Sequence, residues 1–155
     1  MKKNEILFLI VTLLTTVISQ FANAQTKNWK TFNHKYGFRI ELPNYFNIGA
    51  LTNSGIQYYT TELNENIMVY VETIGEGTNG SLAKDFQMEI NSTKGIGYKI
   101  LKDTWFVISG MEEDEIFYMK TIIKNWQTHY LRITYPSSQK EIFDSILPRI
   151  SKSFR

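Results

Sequence analysis

From Tyr98 to Tyr135 the chain alternates apolar and polar residues through three successive strand segments, and this run constrains the fold more than any other stretch. The segments cover roughly Tyr98 to Gly110, with a break near Thr104, then Glu115 to Lys124 and Trp126 to Tyr135. Only short polar turns separate them, so each strand must return beside the one before it. That is an antiparallel meander, not the helix-linked crossovers of a parallel sheet.

Upstream, Phe38, Ile40 and Leu42 alternate with Arg39 and Glu41, and Pro43 closes the strand because it has no amide to donate to a ladder. A second strand at Ile56 to Thr61 and a third at Ile67 to Ile74 are joined through Asn64-Glu65-Asn66, a hairpin spacing. Ser81 is placed to cap a helix whose Leu82, Phe86 and Ile90 line one face, and Gly95 and Gly97 should end it. After Pro136, Ser138 and Glu141 have the capping-box spacing of a final helix with an apolar stripe of Ile142, Phe143, Ile146 and Leu147. Pro148 is expected to stop or kink that helix, and Ile150 and Phe154 to dock the tail in the core. The order gives α+β: a mainly antiparallel sheet flanked by helices.

The first 24 residues read as a cleavable export signal. Lys2 and Lys3 precede a mostly apolar run from Ile6 to Ile18, and Ala22-Asn23-Ala24 has the small-x-small pattern of a signal-peptidase site. Thr12, Thr15 and Thr16 interrupt the run, which falls short of the ~20 apolar residues that span a bilayer. The mature chain is therefore expected to begin at Gln25 as one domain, 25–155, exported to the periplasm or beyond and soluble, with no transmembrane anchor left after cleavage. The absence of cysteine removes the residue a bacterial lipid anchor would use, and with it thiol catalysis and thiolate metal sites.

Removing Lys2, Lys3 and Glu5 from 17 basic and 15 acidic residues leaves 15 and 14, a charge of +1. Nucleic acid is excluded as a partner, since neutralising many phosphates takes clustered Lys and Arg.

Three segments, KYGFRIELPNYF at 35–46, FVISG at 106–110 and LRITYPSSQKEIFDSILPRISKSF at 131–154, resemble small exported bacterial proteins of the PsbP-like (Mog/PsbP) fold. The landmarks are a GF-x-I-x-LP strand, a YP strand end leading into a helix, and a terminal SF. The resemblance implies an α/β/α sandwich. Its better-known members bind partners, a photosystem complex or the small GTPase Ran, and are not enzymes. It carries no site residue to this chain.

Gly75-Glu76-Gly77-Thr78-Asn79-Gly80 matches G-x-G-x-x-G between a strand and a helix, but Ser81 caps that helix only after the last glycine. In a dinucleotide site the helix starts within the motif and aims its N-terminus at the pyrophosphate, so a flexible connection is expected and no cofactor. Glu112-Glu113-Asp114-Glu115 lacks the alternating ligands that wrap Ca²⁺ and reads as a solvated hairpin tip. His34 and His129 are the only histidines, and no G-x-S-x-G elbow or H-E-x-x-H helix accompanies them. Neither catalytic residues nor a metal site are assigned. Asn91-Ser92-Thr93 is a glycosylation sequon, which matters only for export through a eukaryotic secretory pathway.

The binding candidates are Tyr70, Tyr118, Lys120, Tyr130 and Arg132, with Glu72 nearby, which share one sheet face if the meander pairs in register. Tyr and Arg suit interfaces because they combine contact area with a polar tip. Two functions follow as expectations. The first is a non-enzymatic binding or assembly module acting on a protein partner in the cell envelope. The second is a small-ligand-binding protein or hydrolase of unknown substrate, with a pocket at the sheet end near Gly75 to Gly80.

Overall fold

The computed structural model describes residues 28–34, 37–51, 55–59, 67–74 and 81–155. The leader at 1–24, the turn at 64–66 and the glycine-rich segment at 75–80 lie outside the described residues.

In order, the elements are β1 (Trp29–Asn33), β2 (Arg39–Pro43), β3 (Asn47–Leu51), β4 (Gly55–Tyr59), β5 (Met68–Ile74), α1 (Leu82–Ser92), β6 (Ile96–Leu101), β7 (Trp105–Glu112), β8 (Glu115–Lys124), β9 (Gln127–Pro136) and α2 (Lys140–Ser153). Strands β3 to β9 form one antiparallel sheet in the order β3-β4-β5-β9-β8-β7-β6, and β1 pairs with β2 in a separate ribbon. The meander, the break at residues 102–104 and the antiparallel α+β class stand as the alternation implies. β1 and β3 were not legible: β1 offers only Trp29 and Phe32 as large apolar residues, three apart, and β3 follows Pro43 with no sustained alternation.

Each face of the sheet carries its own core. On one face Phe143, Ile146, Ile150 and Phe154 of the α2 segment pack with Ile40 and Leu42 of β2 against Val69, Val71, Leu131, Ile133 and Tyr118. On the other, α1 lays Leu82, Phe86 and Ile90 on Phe106, Ile108 and Phe117. The arrangement is the α/β/α sandwich. Gly110 faces α1, and a Cβ there would meet the Phe117 ring at 2.8 Å and the Gly95 carbonyl oxygen at 2.0 Å, so glycine permits this close approach.

Two helix-end expectations are corrected. Ser138 forms no capping box; it lies in a 3-10 turn, Ser137–Gln139, and Gln139 precedes α2 with no side-chain cap. The turn is instead tied to the β7–β8 hairpin, where the Ser137 amide donates to the Asp114 carbonyl at 2.8 Å and its hydroxyl to the Asp114 carboxylate. Of the stop or kink expected at Pro148, the stop is overturned, since α2 continues to Ser153. Proline forfeits one backbone bond, whereas the residues beyond it include the fully buried Ile150 and the 1%-exposed Phe154, each stabilising by about 1.5–3 kcal/mol.

Candidate functional site

Helix α1 packs on β6 and β7, and among the described residues the β5–β9–β8 side of the same face is left open. Its start is fixed by Ser81, whose side chain accepts from the Lys84 amide at 3.2 Å, with Asp85 favourably placed in the first turn. Where the helix stops covering the sheet, a cleft of about 380 Å³ opens. Its floor is two cross-strand rows: Tyr70, Arg132 and Met119, then Glu72, Tyr130, Thr121 and Phe106. Glu89 of α1 forms the wall, and Ile74, 44% exposed, lines one end.

The cleft carries a negative field. Burial pushes the Tyr130 phenol up to about 12, helped by the charges of Asp85, Glu89 and Glu72. Burial also raises the Asp85 carboxyl, against the opposing pull of Lys84. The Asp85 Oδ2 atom is buried and finds no hydrogen-bond partner among the described residues. Arg132 is the cation on the floor. Tyrosine rings beside carboxylates are the chemistry that receives a cationic group.

Of the five predicted binding residues, the structure brings Tyr70, Tyr130 and Arg132 together in this cleft and puts Tyr118 and Lys120 on the opposite face. Tyr118 pairs with Ile133 and Lys120 with Leu131, so both point toward α2. The expectation of one shared stripe is corrected by that register, because a shift of one residue moves every side chain to the other face. Ile116 and Ile122 share the α2-side face with Tyr118 and Lys120, while Met68 shares the α1-side face with Tyr70. Tyr118 sits 2.5 Å from Ser151 Oγ through its hydroxyl, and burial raises its phenol. Lys120 donates to the carbonyl oxygens of Ser151 at 2.7 Å and Phe154 at 3.3 Å, and burial lowers its ammonium.

Sequence reasoning missed Glu89, Met119 and Thr121 as cleft residues. Glu89 precedes Ile90 of the apolar helix face, and only tertiary placement of α1 shows which floor it overlooks.

The histidines lie on the α2 side. His129 is 1% exposed, with Nδ1 2.8 Å from Thr73 Oγ1, and burial followed by the charge of Lys124 lowers its pKa. His34 stacks on Phe38 with ring centroids 4.7 Å apart. The Thr73–His129 pair has hydroxyl-to-base geometry, but both side chains are buried in the core and neither lines the cleft beside α1. Residues Glu112 to Glu115 are all exposed at the β7–β8 hairpin tip, with Glu113 at φ 53°. Among the described residues no group of three or more His, Asp and Glu is placed to hold a metal.

No protein-family profile matches the chain, and no curated protein sequence does. Its fold is similar to that of the Ran-binding protein Mog1p of Saccharomyces cerevisiae, at 13% identity over 83% of this chain and 95% of that one, with a TM-score of 0.59. It is also similar to cyanobacterial PsbP (CyanoP) of Synechocystis, at 7% identity over 82% of this chain and 91% of that one, with a TM-score of 0.63. At these identities the likeness establishes the fold: the chain has the PsbP/Mog1 fold. No residue role passes from either relative.

Proposed function

We propose that the protein is an exported, non-enzymatic binding module that holds a protein partner of the cell envelope in the cleft between α1 and the β5–β9–β8 floor. The observation that carries this reading is the half of the α1 face left open among the described residues, where Tyr70, Tyr130 and Arg132 lie beside Glu72 and Glu89. Charge complementarity sets the occupant: a segment that places a Lys or Arg side chain against Tyr130 and Glu89, flanked by apolar residues that meet Ile74 and Met119.

Export rests on the leader at 1–24, and among the described residues no helix is long and apolar enough to cross a membrane. Mog1p, named for binding Ran, supports partner binding as a use of this fold, by analogy alone. Ran itself is not the partner proposed for an envelope protein.

A second reading is favoured by the volume of the cleft, which falls within the roughly 300–1,000 Å³ of small-molecule sites. A small amine would meet the same carboxylates and rings. A hydrolase would further need a nucleophile and base in the cleft, and its floor offers the Thr121 hydroxyl with no histidine beside it.

Site-specific photo-cross-linking tests the reading. Residues 1–155 are expressed in their own source with the cross-linking residue at Ile74 in the cleft or at the exposed Ser145 on α2. Adducts to one protein from Ile74 and not from Ser145, on a chain whose N-terminus is Gln25, are expected. Equal adducts from both positions, or none from Ile74, would overturn the docking face, and an uncleaved leader would overturn export.

A further inference from the structure

On the α2 side, remote from the cleft, β2 and the end of α2 assemble a second site. Glu41 accepts from Arg39 Nη2 at 2.6 Å through one oxygen and from Arg149 Nε at 3.0 Å through the other, with Arg149 Nη2 also 3.0 Å away as an ion pair. The hydrogen bonds from Arg149, then those from Arg39, hold the Glu41 carboxyl below its ordinary range, so it stays ionised and fixes both guanidinium groups. Arg149 is further seated over the Trp29 ring at 4.2 Å. The backbones of Arg39 and Arg155 pair, the Arg39 amide donating at 2.9 Å and the Arg155 amide at 3.2 Å, which brings their side chains to one place. Lys152 completes the rim.

Together Arg39, Glu41, Arg149, Lys152, Ser153 and Arg155 line a cleft of about 290 Å³. Among the described side chains of this cleft, four cations meet one carboxylate, and that carboxylate is already shared by two of them. The buried Arg39 Nε finds no acceptor among the described residues. Clustered like charges repel unless a counter-charge joins them, and a buried donor without an acceptor is costly. A multi-oxygen anion answers the first: its oxygens accept from the exposed ends of several planar guanidinium forks at once. Lys120, bonded to the last carbonyls of α2 from the sheet side, offsets the negative end of the helix that would otherwise oppose an anion here.

We infer that this cleft binds a phosphate-type oxyanion, either free phosphate or the phosphate of a lipid headgroup.

The test uses residues 1–155 and two probes: inorganic phosphate titrated by calorimetry across the millimolar range, and sedimentation with vesicles of phosphatidic acid in phosphatidylcholine. Variants Lys152→Ala and Arg155→Ala change exposed side chains, and matched thermal melts confirm that they fold. Saturable phosphate binding, weakened at least tenfold by either variant and not reproduced by chloride at equal ionic strength, is the expected result. Binding in solution assigns free phosphate as sufficient, whereas a vesicle response lost in both variants without solution binding assigns the headgroup. Absence of both responses, or responses equal in wild type and variants, would overturn the site. Arg39→Lys separates a fork from diffuse charge: it keeps the charge, and the site requires that it still weaken binding.

Discussion

Lys120 Nζ lies 2.7 Å from the carbonyl oxygen of Ser151, a bond from the middle of the sheet to the last turn of α2. The final carbonyls of a helix lack intrahelical donors, and an ammonium both bonds them and complements the dipole. Lys120→Met should therefore lower stability by about 1–2 kcal/mol, the bond energies being offset by relief from desolvation. Denaturant midpoints compare the two proteins, and an unchanged midpoint would make the contact incidental.

Phe143 is fully buried and stacks on Tyr135 with ring centroids 3.9 Å apart. Phe143→Ala removes the anchor of α2 and should cost about 3–5 kcal/mol. A loss below about 1 kcal/mol in the same measurement would contradict the packing of α2 on the sheet.

Trp126 sits at φ 64° after Asn125 at φ 51°, in the two-residue turn between Lys124 and Gln127, and is 91% exposed. Such turns favour Asn-Gly, and a bulky residue in the left-handed region is strained without burial to offset it. Trp126→Gly should stabilise the protein by about 0.5–1 kcal/mol. A fall in melting temperature would show that Trp126 makes a contact that matters to folding.

The same turn explains what the sequence did and did not disclose. Alternation located the meander and both helices, because hydrophobic period survives errors of a residue or two at strand ends. Relative side-chain facing does not survive them. Reading β9 from Trp126 leaves Asn125 as the only turn residue and puts Tyr118 and Lys120 level with Tyr130 and Arg132. The observed Lys124–Gln127 pairing makes every even-numbered residue of β8 face an odd-numbered one of β9. Between β5 and β9 the parity expected was the parity found, since Tyr70 pairs with Arg132 and Glu72 with Tyr130. Helix ends were less legible, as Ser137 bonds Asp114 across the fold and Pro148 is tolerated for the buried residues beyond it. The cleft wall and the Arg39–Arg155 pairing join residues far apart in sequence and leave no local pattern.

Tyr130 and Tyr135 should hold their phenol protons to about pH 12, both raised first by burial. An unfolded phenol ionises near 10, so over about pH 10–12 the unfolded chain releases protons that the native state retains. The contribution of these groups to stability is full below about pH 10 and is lost as pH rises through the folded value. Phenolate absorbance during alkaline titration checks this, and Tyr130→Phe should remove one late-titrating group. An unchanged late phase would contradict the burial of Tyr130.

The most direct test is capture of the proposed envelope partner by residues 1–155 and by their Glu89→Lys, Tyr130→Ala and Lys120→Met variants, each shown by thermal melt to be folded at the temperature of capture. The account predicts one protein enriched by wild type and by Lys120→Met, and reduced at least tenfold by Glu89→Lys and by Tyr130→Ala. Equal enrichment by all four, or loss confined to Lys120→Met, would contradict a docking site in the cleft beside α1.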